Sequence, residues 1–414
     1  MRLLVVTQYF WPENFRINDL VADFVARGHE VTVLTGEPNY PAGSLFPDYV
    51  ESPGKYIYFE GADIVRVPIV PRGKGGLQLM INYAAFALSA TVIGAWRLKG
   101  RPFDVIFVYE PSPITVGLPA IVLKWLKGAN IAFWVLDLWP DTLSAIGVVK
   151  SPFILKAIGA LVSFIYRRCD IVLAQSNAFI SQIRIYAEQK ARIEYFPSWA
   201  ESIFDGSIPE PASEVMPKPG AFNIMFAGNI GEAQDFPAII DAATRLKNDP
   251  TIRWLILGDG RQSTWLAGEL ARRGLEDTVV LLGRCPLERV PSFFAHADAL
   301  LVSLKDEPIF AMTIPGKVQA YLSSGKPILA MLNGEGAEIL SQAGAGLTCA
   351  AGDGEGLAAI ARQLAMTAPE EREAMGARGQ ALYAREFERG MLLDRLEAWL
   401  SVLANRRGHE GLRL

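Results

Sequence analysis

The sequence predicts an α/β protein made of two doubly wound parallel-sheet domains of the Rossmann-like kind. Three observations carry this. Short β-rich apolar runs alternate with amphipathic stretches from end to end, the pattern of parallel sheets covered by helices. The alternation halts at residues 203–221 (IFDGSIPEPASEVMPKPGA), which hold four prolines and little periodicity, and then restarts. The length of 414 residues fits two domains at roughly 100–200 residues each.

The elements follow in order. In the first half the strand-like runs are Leu3–Thr7, Val31–Thr35, Ile64–Val67, Val105–Val108, Ile131–Leu136 and Ile171–Ala174. Met1–Val6 is too short for the apolar region of a signal peptide, so it reads as a buried first strand. Arg16–Arg27 is an amphipathic helix closed by Gly28. The segment Leu77–Trp96 has about the length of a membrane span but carries Gln78, Asn82, Ser89 and Thr91 around its circumference. Two readings stay open for it: a buried core helix, or an interfacial helix flanked by Arg72, Lys74, Arg97, Lys99 and Arg101. In the second half the runs are Asn223–Ala227, Trp254–Leu257, Val279–Leu282, Leu300–Ser303, Ile328–Met331 and Gly346–Cys349. The expected division is therefore a first domain at 1–202, a linker at 203–221, a second domain at 222–386 and a C-terminal helix and tail at 387–414. In such folds ligands bind beyond the carboxyl ends of the strands, and the cleft between two such domains is the expected active site.

Composition narrows the chemistry. Half the residues are apolar and 20% are charged, which excludes disordered, collagen-like and coiled-coil chains. Three scattered cysteines and three histidines argue against a disulfide framework, a Cys/His zinc site or a Ser-His-Asp hydrolase. Residues 1–200 hold 19 Lys+Arg against 16 Asp+Glu, and the remainder 21 against 28. No concentrated basic patch calls for nucleic acid, but the mildly basic first half suits an anionic surface.

The second half offers a phosphate-binding pattern. Gly228-Asn229-Ile230-Gly231 and Gly258-Asp259-Gly260-Arg261 each follow a strand and open a helix, where glycine lets backbone N–H groups approach an anion. Pro315-Gly316-Lys317 starts a further helix that Gly325 ends. A lysine in a first turn opposes the helix dipole unless an anionic ligand sits there, and then dipole and lysine act together. In the first half Glu13, Glu110 and Asp137 follow three strands, with aromatics such as Trp139 beside them. Carboxylates that bond hydroxyls next to aromatic platforms are what a sugar needs. A helix-capping Asp137 and a packing Trp139 are the plainer alternative.

These motifs in this order resemble a retaining glycosyltransferase of the GT-B fold, family 4, of the bacterial kind that builds surface polysaccharide, lipopolysaccharide and O-antigen, N-acetyl-fucosaminyl transferases included. The resemblance spans nearly the whole chain. It is carried by Tyr9-Phe10-Trp11-Pro12-Glu13, Asp137-Leu138-Trp139-Pro140-Asp141, Pro197-Ser198-Trp199-Ala200-Glu201, the two glycine turns, and Ile314-Pro315-Gly316-Lys317 through Gly325-Lys326-Pro327.

The resemblance implies transfer of a sugar, with an N-acetylated aminosugar favoured, from a UDP-sugar to a lipid-linked (polyprenyl diphosphate) or oligosaccharide acceptor. It implies no cofactor and no metal, and a cytoplasmic enzyme held peripherally at the inner face of the cell membrane. The implied donor residues are Gly228, Asn229, Gly231, Asp259, Arg261, Arg284, Pro315, Lys317, Tyr321, Glu335 and Glu338. The implied acceptor residues are Glu13, Asn14, Arg16, Glu110, Asp137 and Trp139, with Lys317, Asp137 and Glu13 catalytic. The family's usual phosphate-binding Arg and Lys fall at Asn229 and Gln234, the second of its paired glutamates at Ala320, and its frequent histidine at Leu136. Two rival activities fit the same pattern: a UDP-sugar 2-epimerase, or a non-catalytic nucleotide-sugar-binding partner subunit.

Overall fold

The computed structural model describes residues 1–410 apart from 42, 74, 75, 146, 148, 190 and 205–208, with backbone only for 406–410. Lys74 and part of the expected linker thus lie outside the described residues. The chain folds as two compact units, one of Met1–Phe196 plus the segment from Gly390 onward, the other of Pro197–Arg389.

Unit 1 is built on a sheet of β1 (Arg2–Val6), β2 (Glu30–Gly36), β3 (Tyr58–Phe59), β4 (Ala62–Val67), β5 (Val105–Glu110), β6 (Asn130–Val135), β7 (Ile171–Ala174) and β8 (Ile193–Tyr195). Their order is β3-β4-β2-β1-β5-β6-β7-β8. Pairing is parallel except for the two-residue β3 hairpin on β4. The central strands are apolar without alternation because helices cover both faces, and Leu3–Val6 and Val105–Val108 are fully buried. The connecting helices are α1 (Arg16–Ala26), α2 (Gly76–Arg97), α3 (Gly117–Lys127), α4 (Asp141–Ala145), α5 (Pro152–Tyr166) and α6 (Asn177–Tyr186). Ser176 caps α6 by accepting from the Phe179 amide at 3.1 Å.

Unit 2 repeats the plan with β9 (Phe222–Ala227), β10 (Ile252–Leu257), β11 (Val279–Gly283), β12 (Ala299–Ser303), β13 (Ile328–Met331) and β14 (Gly346–Cys349), all parallel in the order β11-β10-β9-β12-β13-β14. Its main helices are α7 (Phe236–Arg245), α8 (Ser263–Arg273), α9 (Gly316–Ser323), α10 (Glu335–Ala343), α11 (Gly354–Met366) and α12 (Pro369–Glu386). The final helix, α13 (Arg389–Glu410), belongs to unit 1. Leu392, Leu393, Leu396, Leu400 and Leu403 are fully buried there, and Arg27 and His29 bond the Asp394 and Glu397 carboxylates.

Two expectations change. The proline-rich stretch is not a free linker. Ala212 and Val215 sit in the core of unit 2, the Ala212 amide donates to Ser292 O at 3.0 Å, and Arg253 donates to Met216 O at 2.7 Å. Proline spacing signalled the absence of helix and strand, but it carried no sign of those tertiary bonds. The apolar helix also fits neither simple reading: α2 buries Asn82, Tyr83, Phe86 and Ala87 on one side and exposes Leu77, Leu88, Val92 and Trp96 on the other.

Candidate active site

In unit 2 the functional side chains gather at the carboxyl ends of β9, β10 and β12–β13. The turns after β9 and β10 press on each other: a Cβ on Gly258, at φ +141°, would lie 1.9 Å from Gly228 O, and one on Gly260 would lie 2.3 Å from Ile230 O. Only glycine allows that approach, and the Gly228 conformation, φ +134°, is equally closed to other residues. A Cβ on Gly228 would also meet Lys317 Cε at 2.7 Å and Nζ at 2.9 Å. Lys317 therefore lies directly under the first glycine turn, in the first turn of α9, with Pro315 as the residue that caps the helix rather than its first turn.

The Lys317 ammonium is buried and has no hydrogen-bond partner among the described residues. It sits 3.5 Å from the centroid of the Phe226 ring, a favourable contact for its charge. Burial lowers its pKa from the usual lysine range to about 7. The start of α10 closes the other side, since a Cβ on Gly336 would lie 3.2 Å from Pro315 Cδ. Two helix N-termini, two glycine turns and one orphaned cation thus converge. Backbone N–H groups at a helix N-terminus and a buried ammonium are groups whose chemistry favours an anion.

The predicted donor residues divide. Gly228, Pro315 and Lys317 are brought together, and Glu335 stands in the first turn of α10 beside them. Gly231 is tucked under Asn229 and Gln234, and its amide donates to Gln234 Oε1 at 3.2 Å. Asp259 is held within its own turn: it takes bonds from Ser263 Oγ at 2.6 Å and the Gly260 amide at 2.7 Å, and these hold its carboxyl below the ordinary range. Arg261, Arg284 and Glu338 are exposed. Tyr321 is a correction. It is 1% exposed, and its hydroxyl bonds the amide and carbonyl of Ala227 at 3.1 and 3.3 Å. It locks α9 to the end of β9 and so positions Lys317, instead of facing a ligand. Lys326 is half-buried, and burial lowers its pKa.

In unit 1 the strand ends β1, β5 and β6 carry Glu13, Glu110 and Asp137. Glu13 is a correction. Its carboxylate accepts from the amides of Phe10, Asn39 and Tyr40 at 3.2, 2.8 and 2.7 Å, so it braces the loops after β1 and β2. Burial raises its pKa to about 7 in spite of those three donors and nearby Arg66. Trp139 is a second correction: it is 2% exposed, leaving no face for a sugar, and its Nε1 donates to Asp137 at 3.2 Å. Asp137 also accepts from Thr142 Oγ1 at 2.5 Å, and burial raises its pKa in spite of these bonds. Glu110 is fully buried and neither oxygen makes a sound hydrogen bond. Burial, and the Asp137 carboxyl beside it, hold its pKa well above the ordinary range although the Asp137 and Leu136 amides pull downward. The Thr115 and Tyr166 hydroxyls and one Asp141 oxygen are likewise buried without a partner. Asn14 is exposed, and Arg16 lies close to the buried Tyr109.

Sequence reasoning missed Arg66, whose buried guanidinium bonds the carbonyls of Trp11, Gly36 and Tyr56. A charge inside the apolar run Asp63–Val67 was its signal. It also missed Phe226 as the ring beneath Lys317, for which a strand phenylalanine gives no sign.

Two parallel α/β units, one with two glycine turns meeting over a buried lysine and the other with buried carboxyls at its strand ends, have the GT-B architecture, and the chain is a glycosyltransferase of that type. Residues 14–199 match the family described as "Glycosyl transferase 4-like domain", and residues 221–366 match "Glycosyl transferases group 1". The chain is 25% identical over 342 residues to the putative colanic acid biosynthesis glycosyl transferase WcaI of Escherichia coli K12, covering 78% of this chain and 82% of that one. It is 26% identical over 275 residues to the probable glycosyltransferase WbjE of Pseudomonas aeruginosa, covering 63% and 66%. HepE of Anabaena, solved with UDP and glucose, superposes with a TM-score of 0.66 at 15% identity over 97% of this chain and 99% of that one.

Proposed function

We propose that the chain transfers a sugar from a UDP-sugar to a lipid-linked, polyprenyl diphosphate-borne saccharide at the inner face of the cell membrane, with retention at the anomeric carbon and an N-acetylated aminosugar as donor. The single observation that carries the donor side is the buried, unpartnered Lys317 ammonium beneath the Gly228 turn. An anion there satisfies the charge, the α9 N-terminus and the turn amides at once. A nucleoside diphosphate has that chemistry, and HepE was solved with UDP.

As the anomeric carbon–oxygen bond to the diphosphate breaks, the acceptor hydroxyl bonds to that carbon from the same face and its proton passes to the departing phosphate. Lys317 and the helix N-termini stabilise the negative charge that develops on the leaving group, so the reading requires no metal. The epimerase and binding-subunit readings draw on no specific contact in either unit. Thermal stabilisation by UDP over GDP and dTDP, followed by acceptor-dependent UDP release, tests the proposal. Isomerisation of the donor without acceptor, or no UDP release with any saccharide acceptor, refutes it.

A further inference from the structure

Trp139, the aromatic expected to meet a sugar in unit 1, is buried, but other rings stand half-open at the strand ends of that unit. β4, β2 and β1 are neighbours in the sheet, and beyond their carboxyl ends lie Arg72, Tyr40 and Phe15. The Phe15 and Tyr40 ring centroids are 5.2 Å apart, and Tyr9, 3% exposed, backs both at 5.4 Å. Phe15, Tyr40 and Arg72 are themselves only half-buried.

Two features separate this group from ordinary core packing. The loops that carry it are tied together by bonds to buried groups. Glu13 accepts from the amides of Asn39 and Tyr40, and Asn39 Oδ1 accepts from the Arg72 amide at 3.1 Å. The second feature is the cation. The Arg72 guanidinium lies 5.2 Å from the Tyr40 ring centroid and pairs with no carboxylate among the described residues. Arg66, by contrast, bonds three backbone carbonyls. Burial raises the pKa of Tyr9 and of Tyr83, and the Arg72 charge opposes that rise in both, so Arg72 is close to each phenol. Tyr83 packs on Trp139 at 5.9 Å, and Trp139 bonds Asp137, so the group adjoins the carboxyls beyond β5 and β6.

We infer that Phe15, Tyr40 and Arg72 form a subsite for a saccharide that carries an anionic group. The apolar C–H face of a pyranose rests against the Phe15 and Tyr40 rings, and the anion takes the guanidinium fork. An arginine already held over a ring is pre-organised for that contact and loses little freedom on binding. A carboxylate on the sugar and a phosphate at its anomeric carbon have the same chemistry, and the measurement separates them. The inference rests on the proposed saccharide acceptor, and it is tested by binding alone, without donor.

The test is saturation-transfer NMR of the full chain with methyl glucoside, methyl glucuronide, glucose 1-phosphate and inorganic phosphate. Each is titrated into wild type and into Lys317→Met, which separates this site from the one in unit 2. At least one of the two charged sugars is expected to bind both chains more tightly than methyl glucoside. A preference for the glucuronide assigns the anion as a carboxylate, and a preference for glucose 1-phosphate assigns it as a phosphate. Arg72→Gln should weaken the charged sugars about tenfold, to the level of methyl glucoside. Tyr40→Ala should weaken all three sugars, whereas Tyr40→Phe, which keeps the ring, should bind as wild type. An unchanged unfolding transition shows that these variants fold. Equal binding of charged and neutral sugars overturns the role of Arg72. Inorganic phosphate binding as tightly as glucose 1-phosphate overturns the role of the rings. No sugar binding, or binding that Lys317→Met abolishes, overturns the subsite. Absence of a UDP-induced thermal shift in wild type would refute the donor reading and leave the sugar result standing.

Discussion

Replacing Lys317 with methionine should make the free protein more stable while removing its affinity for UDP. A fall in pKa from 10.5 to about 7 corresponds to about 5 kcal/mol of differential destabilisation of the charged form, at about 1.4 kcal/mol per unit. The Phe226 face, 3.5 Å away, returns about 2 kcal/mol of this as a cation–π contact. Methionine keeps the length and contact with the ring but has no charge to desolvate, so unit 2 should gain about 3 kcal/mol near pH 7. At about 2–4 °C per kcal/mol, its melting transition should rise by about 6–12 °C in differential scanning calorimetry. The sign in pH follows from linkage. Between pH 7 and 10.5 the unfolded chain binds the proton that the folded chain has lost, so wild-type stability rises with pH and the gain from Lys317→Met shrinks toward alkaline pH. A diphosphate beside Nζ raises the pKa again, so UDP binding at pH 8 should take up protons in wild type and none in the variant. A destabilised variant, or one that keeps its UDP-induced shift, would refute the placement of this charge.

Unit 1 should respond to pH in the opposite sense. Glu13, Glu110 and Asp137 all have folded pKa values above their unfolded ones, so their contribution to stability is present at acid pH and lost as pH rises through the folded values, near 7 for Glu13. Calorimetry from pH 5 to 8.5 should show one transition falling and the other rising, and parallel shifts would contradict this. Gly258→Ala, with its Cβ 1.9 Å from Gly228 O, should cost at least about 3 kcal/mol and abolish UDP binding; a tolerated alanine would show that the two turns do not meet. Trp139→Phe removes one bond to Asp137 and should destabilise unit 1 by about 1–3 kcal/mol in urea unfolding, with little effect on UDP affinity. A large loss of UDP affinity in that variant would contradict its assignment to packing.

Twelve strands were legible because each is a short apolar run between turn residues. The two that were not, β3 and β8, are two- and three-residue edge pairings with no buried run to betray them. The meeting of the two glycine turns and Lys317 was legible through Gly228, Gly258 and Lys317, the glycines being forced by close approach. The acceptor side was not: carboxylates after strands look alike whether they face a substrate or, like Glu13, three backbone amides. Counting hydrogen-bond donors around each oxygen requires the fold.

Unit 1 is interrupted in sequence: the chain leaves it after Phe196 and returns at Gly390, so unit 2 is an insertion within it. On the ribosome, everything needed to complete unit 2 emerges before α13 exists. Until α13 is made, Arg27 keeps only Asp23 and lacks Asp394 and Glu397, His29 lacks Glu397, the carbonyl that Asn130 bonds at Leu403 is absent, and the apolar ground that Leu392, Leu396 and Leu400 will cover is open to water. Unit 2 can therefore mature while unit 1 stays unfinished, and loss of a few C-terminal turns would cripple the domain encoded first.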